Sequence, residues 1–248
     1  MSGLGFARRS GRRSPVSRLD RSAARRAARL SPWRGDPEVA HLVVAPDAVL
    51  TAADVGGYVE RARAQGYRGI VTGALSERET APFAAHDFTV HERLHLLAAE
   101  LHEEPPRPGV TITHVRRREH DTVLQLDAAA FTGFWRLGPV GLRDALAATP
   151  ARQFRAARSE PDGRITGYAI TGLAPPHGFL QRIATDPTVV RSGIGRGLVL
   201  DAFRYLWQRG ATRVLVNTQL DNAPALALYD ACGFELLSHG LTVMERAL

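Results

Sequence analysis

A glycine-rich turn before a predicted helix is the strongest chemical signal in the sequence. Glycine occupies alternate positions from Gly193 to Gly197, with Arg191 and Arg196 beside it, and an amphipathic segment at 194–209 follows. The first amides of a helix have no intrahelical partner and lie at the positive end of the helix dipole. Glycine lets a ligand approach the backbone closely, and the arginines add positive charge. The turn therefore predicts a diphosphate-binding site.

A dinucleotide-binding turn of the Rossmann type is the alternative for such a glycine run. That turn requires Gly-x-Gly-x-x-Gly and an acidic residue about 20 positions later. Here the spacing is Gly-x-Gly-x-Gly, and Leu198 stands where the last glycine would be. The next predicted strand ends with Asn217 rather than with an acid. The sequence therefore disfavours NAD as the ligand.

A second motif follows that strand. Asn222 precedes an apolar segment at the position of a helix N-cap, which asparagine favours. Ala225 and Tyr229 are four residues apart and so share one face of the predicted helix. The segment closes with Gly233 and Phe234. The motif thus places a tyrosine on a defined helix face shortly after the glycine-rich turn.

Together the two motifs make residues 109–248 resemble the GCN5-related N-acetyltransferase (GNAT) superfamily. The family pattern is Arg/Gln-x-x-Gly-x-Gly/Ala at a helix start, then a strand, then Asn-x-x-Ala-x-x-Leu-Tyr-x-x-x-Gly-Phe, and both parts occur here in that order. The resemblance implies an α/β fold with a splayed mixed sheet. It also implies acetyl-CoA as co-substrate, bound between the fourth and fifth strands of this domain. The whole chain resembles an actinobacterial-like two-part member with a degenerate N-terminal half.

The resemblance assigns the cofactor contacts as well. The backbone at 183–185 would hold the pantetheine and the thioester, and the amides of 191–197 would hold the diphosphate. The implied cofactor-binding residues are Ile183, Ala184, Thr185, Arg191, Ser192, Gly193, Ile194, Gly195, Arg196, Gly197 and Asn222. The pattern departs at its head, where Val190 replaces the family's Arg or Gln. Because of this departure, an alternative function stays open: the protein would bind CoA as a regulatory module and would not catalyse acetyl transfer.

Tyr229 is the catalytic residue that the resemblance implies, as the acid that protonates the departing CoA thiolate. A phenol pKa of about 10 and a thiol pKa of about 8.5 are close enough for that transfer. Trp135, Gln181 and Asn217 are the candidate substrate-binding residues. No residue is assigned as the base, since the spacing does not select among the polar residues near the turn.

A literal His-Glu-x-x-His match at 91–95 suggests an enzyme of another class, a zinc-dependent hydrolase. Its residues would be His91, Glu92 and His95. That chemistry needs a helix with both histidines on one face, a third ligand, and the glutamate activating a zinc-bound water. The segment is predicted to be a strand, in which the histidines would lie about 13 Å apart. We therefore predict no metal site.

Proline marks a boundary between two segments of the chain. Pro-Pro-Arg-Pro at 105–108 can continue neither a helix nor a central strand and is predicted to be a linker. Upstream, residues 36–104 have the predicted order β-α-β-α-β. Downstream, residues 109–248 form a longer mixed array that would contain the catalytic site and end in two strands. Those last strands could pair with the N-terminal half or with a second chain.

The two segments are related by an internal repeat. Three residues of the first match three of the second at nearly constant offsets of 144, 145 and 146. The matched pairs are Gly66 with Gly210, Leu75 with Leu220, and Phe88 with Phe234. The first copy has lost part of its first helix and has Asp87 where the second has Gly233. We therefore interpret residues 36–104 as a partial, degenerate copy.

Composition excludes several classes of protein. All 32 basic residues are arginine, and the lack of lysine excludes Schiff-base enzymes, P-loop NTPases and protein kinases. Cys232 is the only cysteine, which fits a reducing cytoplasmic setting. The chain has no run of about 18 apolar residues, so no membrane partner is expected.

The charge is concentrated at the N-terminus. Residues 1–35 hold ten arginines and one acid, a net charge of +9, whereas the rest of the chain has 22 arginines and 24 acids, a net charge of −2. The segment is poor in large apolar residues and is predicted to be a disordered tail. Contact with nucleic acid is expected only through this tail.

The sequence therefore predicts an acyltransferase. It would move an acetyl group from acetyl-CoA to a primary amine of a small molecule or a peptide, by direct attack in a ternary complex and without a metal. The acceptor stays open among a peptide α-amine, a small-molecule amine such as an antibiotic or a thiol-sugar conjugate, and a polyamine. The oligomeric state is also open.

Overall fold

The computed structural model describes residues 27–34, 36–45, 48–189 and 191–248. Most of the predicted tail, and Val190, lie outside the described residues. The prediction that the tail extends to residue 35 is wrong, because Ala28–Trp33 is a strand. Ala28 is buried, and its amide and carbonyl bond the Tyr58 hydroxyl at 3.1 and 2.8 Å. Strand pairing and apolar burial therefore order this part of the arginine-rich segment.

Strands and helices are interspersed along the described chain. The strands are β1 (Ala28–Trp33), β2 (Asp36–Val44), β3 (Gly69–Thr72), β4 (Thr89–Glu100), β5 (Ile112–His114), β6 (Ala151–Arg158), β7 (Ile165–Ala174), β8 (His177–Thr185), β9 (Arg213–Gln219), β10 (Glu235–Leu236) and β11 (Leu241–Ala247). The helices are α1 (Ala52–Ala64), α2 (Glu77–Ala84), α3 (His120–Ala130), α4 (Pro139–Ala147), α5 (Ile194–Trp207) and α6 (Ala223–Asp230). No helix in the described ranges is long and apolar enough to cross a membrane.

All these strands belong to one sheet, whose pattern repeats about its centre. The order is β1-β2-β3-β11-β4-β9-β8-β7-β6-β5, and β10 pairs with β4. On each side an antiparallel pair (β1–β2 and β7–β8) is followed by a parallel pair (β2–β3 and β8–β9). The next neighbour towards the centre is antiparallel on both sides. The two halves of the chain thus share one arrangement around the antiparallel β11–β4 pair.

The halves exchange one strand each. β4, which ends the N-terminal half, pairs with β9 along Leu94–Glu100. β11, which ends the chain, pairs with β3 and β4. The last strand therefore joins the N-terminal half of the same chain. Each half completes the sheet of the other, so the segment at 105–108 does not separate two independent sheets.

Residues that end the helices also match between the halves. Gly66 and Gly210 follow α1 and α5 with φ values of +84° and +77°. After α2 and α6 the equivalent residues are Asp87 and Gly233, with φ values of +58° and +83°. This left-handed conformation favours glycine, and aspartate is one of the few other residues that adopt it. The local backbone is thus the same where the residue type has changed.

Helices cover both faces of the C-terminal strands. On β6, Phe154 packs into the core under α3, whereas Ala157 packs into the core under α5. On β9, Val214 and Val216 belong to the core under α5. Successive residues of a strand point to opposite faces, so Asn217 lies on the α3 face of the sheet.

Candidate active site

A cleft opens between the parallel strands β8 and β9. They pair only at their first residues, with His177 opposite Arg213 and Phe179 opposite Leu215. β8 continues to Thr185 and β9 to Gln219, and both strands are described along their whole length without further mutual pairing. The strands therefore diverge. The backbone of Ile183, Ala184 and Thr185, the predicted pantetheine-binding residues, lies along one edge of this opening.

A β-bulge shapes the middle of that edge. Opposite β7, Arg182 pairs with Ile170 and Leu180 pairs with Thr171, which leaves Gln181 as the extra residue. The Gln181 amide donates to Thr149 Oγ1 at 3.3 Å. Its Oε1 is buried and has no hydrogen-bond partner among the described residues. The bulge thus carries a free acceptor atom.

The glycine-rich turn ends beside this cleft at the start of α5. Gly193 is the N-cap, has φ +75°, and gives the helix no side-chain cap. The first hydrogen bond runs from the Gly197 amide to the Gly193 carbonyl at 2.9 Å. The amides of residues 194–196 therefore have no intrahelical acceptor. Arg191 and Arg196 are exposed beside them, and the Ser192 hydroxyl donates to Val189 O at 2.7 Å.

Two of the three glycines are also required for packing within the protein. A Cβ at Gly197 would lie 2.4 Å from Val110 Cγ2, and one at Gly195 would lie 3.0 Å from Leu228 Cδ2. The Gly197 amide also donates the first hydrogen bond of the helix and is not available to a ligand. Only Gly193 is required for its backbone conformation.

Tyr229 lies in the core of the C-terminal half. It is buried on α6, and its ring packs against Phe234 with centroids 5.4 Å apart. Burial raises the pKa of Tyr229 to about 12, and the positive charge of Arg182 counters part of the rise. The phenol therefore stays protonated at every physiological pH.

Asn222 caps α6 as predicted from the motif. Its Oδ1 accepts from the Ala225 amide at 3.3 Å, and its Nδ2 donates to Thr218 Oγ1 at 3.0 Å and to Gln219 Oε1 at 3.4 Å. Both polar atoms are thus engaged within the protein. The residue fixes the start of the helix that carries Tyr229.

A buried ion pair joins α3 to β8, and the sequence analysis did not identify it. Asp127 is fully buried, and its Oδ2 accepts from Arg182 Nε at 2.8 Å and Nη2 at 2.6 Å. The Tyr168 hydroxyl donates to the same oxygen, and the Leu137 amide donates to Oδ1 at 2.7 Å. Burial raises the pKa of Tyr168, so that phenol remains a donor. The signal in the sequence was an acid next to Leu126, on the apolar face of a predicted helix.

This ion pair also holds Trp135. Arg182 Nη2 donates to the Trp135 carbonyl at 2.7 Å, and the Trp135 indole Nε1 donates to Glu92 Oε2 at 2.7 Å. Arg182 is on β8 and Glu92 is on β4, with β9 between them. Two strand spacings amount to about 10 Å. Trp135 therefore links β8 to β4 past the end of β9, because Glu92 lies beyond the last β4–β9 pair, Leu94 opposite Gln219.

The His-Glu-x-x-His segment is part of strand β4 and not of a helix. Glu92 accepts from Trp135, while His91 Nδ1 contacts Glu245 Oε2 at 2.9 Å and its ring lies 4.1 Å from the Phe134 ring. His95 pairs with Thr218 on the neighbouring strand β9. The segment thus lacks the helical geometry that the zinc-hydrolase alternative requires.

Asp186, next to the turn, is fully engaged. Its Oδ1 accepts from the amide and hydroxyl of Thr188 at 2.9 and 2.7 Å, and its Oδ2 accepts from Arg164 at 2.6 Å. The Thr188 hydroxyl and the other donors hold the pKa of Asp186 below its usual range. Such a carboxylate is a poor base.

The N-terminal half lacks both features of the cleft. β2 and β3 remain paired from Val39–Gly69 to Leu42–Thr72, the end of β3. At the start of α1, the Asp54 amide donates to Thr51 Oγ1 at 3.2 Å, and the Asp54 carboxylate accepts from the Thr51 amide at 2.9 Å. Hydrogen bonds from Thr51 hold the pKa of Asp54 low, so a negative charge occupies this helix N-terminus.

Aromatic side chains from both halves meet on the α3 face. Trp33 stacks on Phe134 at 4.7 Å and contacts the His41 ring edge-on at 4.6 Å. The Arg34 guanidinium lies 4.5 Å from the Trp33 ring. Burial is the main cause that lowers the pKa of Arg34 to about 10 and that of His41 to about 4. His41 is therefore neutral in the folded protein at pH 7.

We expect His41 to make stability fall in mild acid. The folded pKa is about 4 and the unfolded pKa about 6.5, so the unfolded state binds more protons between these values. Stability should drop by about 3 kcal/mol as the pH falls from 6.5 to 4. Urea unfolding of His41→Phe should show a shallower loss across that window. His102→Gln, at an exposed position, should keep the wild-type profile. Identical profiles for His41→Phe and the wild type would contradict the assignment.

Comparison of the sequence with a family model and with curated proteins finds acetyltransferases in both cases. The model of the acetyltransferase (GNAT) family matches residues 120–234, the segment that contains the cleft, the turn and Tyr229. The mycothiol acetyltransferase of Rhodococcus opacus is 31% identical, with 84% of this chain and 75% of that protein covered. That of Thermomonospora curvata is 29% identical, with 79% and 74% covered.

Solved structures share the fold at low identity. A tandem GNAT protein from the clavulanic acid biosynthesis pathway has a TM-score of 0.60 at 14% identity, covering 86% of this chain and 76% of that one. A GCN5-related N-acetyltransferase from Kribbella flavida has a TM-score of 0.58 at 20% identity, covering 93% of both chains. The predicted mixed α/β fold is confirmed. These likenesses support neither the non-catalytic module nor the zinc hydrolase.

Proposed function

Because the chain belongs to the GCN5-related N-acetyltransferase (GNAT) superfamily and is an acetyltransferase acting on an amine, we propose that the β8–β9 cleft binds acetyl-CoA. We propose further that the acceptor amine attacks the thioester directly, in a ternary complex. The observation that carries this is the divergence of β8 and β9 beside a helix start without a side-chain cap.

The cofactor contacts follow from the unpaired backbone groups. The edge at Ile183–Thr185 would bind the amides of the pantetheine, and the amides of residues 194–196 would bind the diphosphate with Arg191 and Arg196 as countercharges. Asn222 would act indirectly, because its amide group is already bonded within the protein. The lone Cys232 fits a reducing compartment, and we place the enzyme in the cytoplasm.

The acceptor would enter from the α3 face. Asn217 is exposed there on a central strand, and Trp135 spans the neighbouring strands. Gln181 Oε1 is buried at the bulge, so this side chain would shape the wall of the acceptor site rather than bond the amine. Relatives are named mycothiol acetyltransferases, so the amine that those enzymes acetylate is the first acceptor to test.

Binding and turnover test the proposal separately. Calorimetry should show one acetyl-CoA site per chain, weakened by Arg196→Ala, which removes one of the two exposed countercharges beside the helix start. Arg143→Ala removes the same charge at an exposed position on α4 and serves as the control. A thiol assay with a panel of primary amines should then detect CoA release. Absence of acetyl-CoA binding, or equal binding by the two variants, would refute the assignment of the cleft.

Trp135→Phe should weaken binding of the acceptor and leave binding of the cofactor unchanged. The substitution removes the indole donor and leaves Glu92 without this hydrogen bond. A hydrogen bond to a charged group contributes about 1.5–3 kcal/mol, and this one holds the Trp135 ring in place rather than contacting the acceptor. Its loss should therefore raise the KM of the acceptor by at most about tenfold. The KM of acetyl-CoA should stay constant. Trp207→Phe, on α5, is the control, and an unchanged acceptor KM in Trp135→Phe would remove Trp135 from the acceptor site.

A further inference from the structure

Strand β1 of the N-terminal half lies against two parts of the C-terminal half. Arg29 Nη1 forms an ion pair with Asp144 Oδ1 on α4 at 3.2 Å. Trp33, at the end of β1, stacks on Phe134, with ring centroids 4.7 Å apart. Phe134 directly precedes Trp135, the aromatic residue of the proposed acceptor site. The first strand of the sheet therefore ends beside that site.

Arg34 follows β1 and contacts the same segment with its guanidinium group. Its Nη1 donates to the Arg136 carbonyl. The guanidinium also lies 5.9 Å from the Phe134 ring and 5.5 Å from the Trp135 ring, within the range of a cation–π contact. Burial, and then the charge of Arg182, lower the pKa of Arg34 to about 10, so the group is still charged at pH 7. One cation thus contacts three consecutive residues.

The backbone at Arg34 is in close contact with the C-terminal half as well. Arg34 has a φ of +50°, a left-handed conformation that bulky residues seldom adopt. Such conformations persist where the surrounding structure holds them. A Cβ at Gly138 would lie 3.0 Å from the Arg34 carbonyl oxygen, and one at Gly141 would lie 3.5 Å from its Cγ. Glycine at 138 therefore allows the two halves to approach closely at this point.

We propose that Arg34 is a positioning residue for the acceptor, which holds the segment around Trp135 in place from the N-terminal half. This inference rests on the proposed function, in which the acceptor binds beside Trp135. Arg182 and Glu92 hold the carbonyl and the indole of Trp135 itself. Arg34 restrains the residues on either side of it. The N-terminal half has no cleft of its own, and it contributes to acceptor binding through this contact.

Arg34→Met tests the proposal, because methionine keeps an apolar stem and removes the charge and the donor. The KM of the acceptor should rise roughly three- to tenfold, since the lost contacts hold the site and do not touch the acceptor. The kcat and the KM of acetyl-CoA should stay constant. Arg29→Met is the matched control, because it removes the same charge from β1 at a 54% exposed side chain that pairs with α4. Its acceptor KM should match the wild type.

Amide hydrogen exchange measures the positioning without any acceptor. The amides of Trp135 and Arg136 donate to Thr132 O and Gly133 O, each at 3.2 Å, which slows their exchange. In Arg34→Met both amides should exchange several-fold faster than in the wild type. The melting temperature and the exchange of the amides in β3 should change little, because the effect is confined to this segment.

Three outcomes would overturn the proposal. One is unchanged exchange at residues 135 and 136 in Arg34→Met, and another is faster exchange there with an unchanged acceptor KM. The third is an equal rise of the acceptor KM in Arg29→Met, which would indicate general loosening of β1. A wild type that acetylates no amine would instead refute the proposed function. The role in acceptor binding would then fall with it, and hydrogen exchange alone would decide whether Arg34 holds the segment.

Discussion

Tyr229→Phe should lower kcat by about 100-fold and leave the affinity for acetyl-CoA nearly unchanged, because a positioned acid typically contributes at least that factor. The ring is buried against Phe234, so phenylalanine keeps the packing and removes only the hydroxyl. The expected loss is therefore in turnover. Steady-state CoA release and calorimetric acetyl-CoA binding would measure the two effects separately.

The raised pKa defines what this hydroxyl can do. With a pKa of about 12 for Tyr229 and about 8.5 for a thiol, complete proton transfer to a free thiolate would cost about 5 kcal/mol. We therefore propose that the phenol acts mainly as a hydrogen-bond donor that would stabilise the departing sulfur. The wild-type kcat should show no loss from Tyr229 ionisation below about pH 11. Tyr67→Phe, in the N-terminal half, is the control, and full activity in Tyr229→Phe would remove this role.

Local patterns in the sequence predicted the cleft-forming elements well, because helix starts depend on nearby residues. The glycine-rich turn, the N-cap at Asn222 and the strand at β4 all follow from short-range propensities. The exchange of β4 and β11 between the halves does not follow from such short-range propensities. β4 begins two residues after the left-handed Asp87, whereas β11 follows the left-handed Gly233 only after the short strand β10, so local signals do not determine which half each strand joins. Only the assembled sheet selects the crossed arrangement.

The sequence predicted Trp135 but not the ion pair that holds it, and the reason is different. Asp127 and Arg182 are 55 residues apart, and neither belongs to a motif. Their pairing depends on where α3 packs over β8, which hydrophobic periodicity does not determine. The same holds for Glu92, which the sequence offered only as part of a metal motif. Its partner, Trp135, comes from the other half of the chain.

Asp127→Asn should strongly destabilise the protein. The Arg182 side chain is only 11% exposed, and Asp127 is completely buried. Removing one charge of a buried pair leaves the other uncompensated, which costs about 3–5 kcal/mol. For a domain of this size the melting temperature should fall by roughly 6–20 °C. Calorimetric or fluorescence-monitored thermal unfolding would measure it.

Asp144→Asn is the matched control for this prediction, because Asp144 pairs with Arg29, whose side chain is 54% exposed. An exposed pair contributes about 1 kcal/mol or less, so that variant should melt close to the wild type. Asp127→Asn should also raise the acceptor KM, since Arg182 bonds the Trp135 carbonyl as well as Asp127. Equal melting temperatures for the two variants would mean that Arg182 finds another partner. The link from the ion pair to Trp135 would then fail with it.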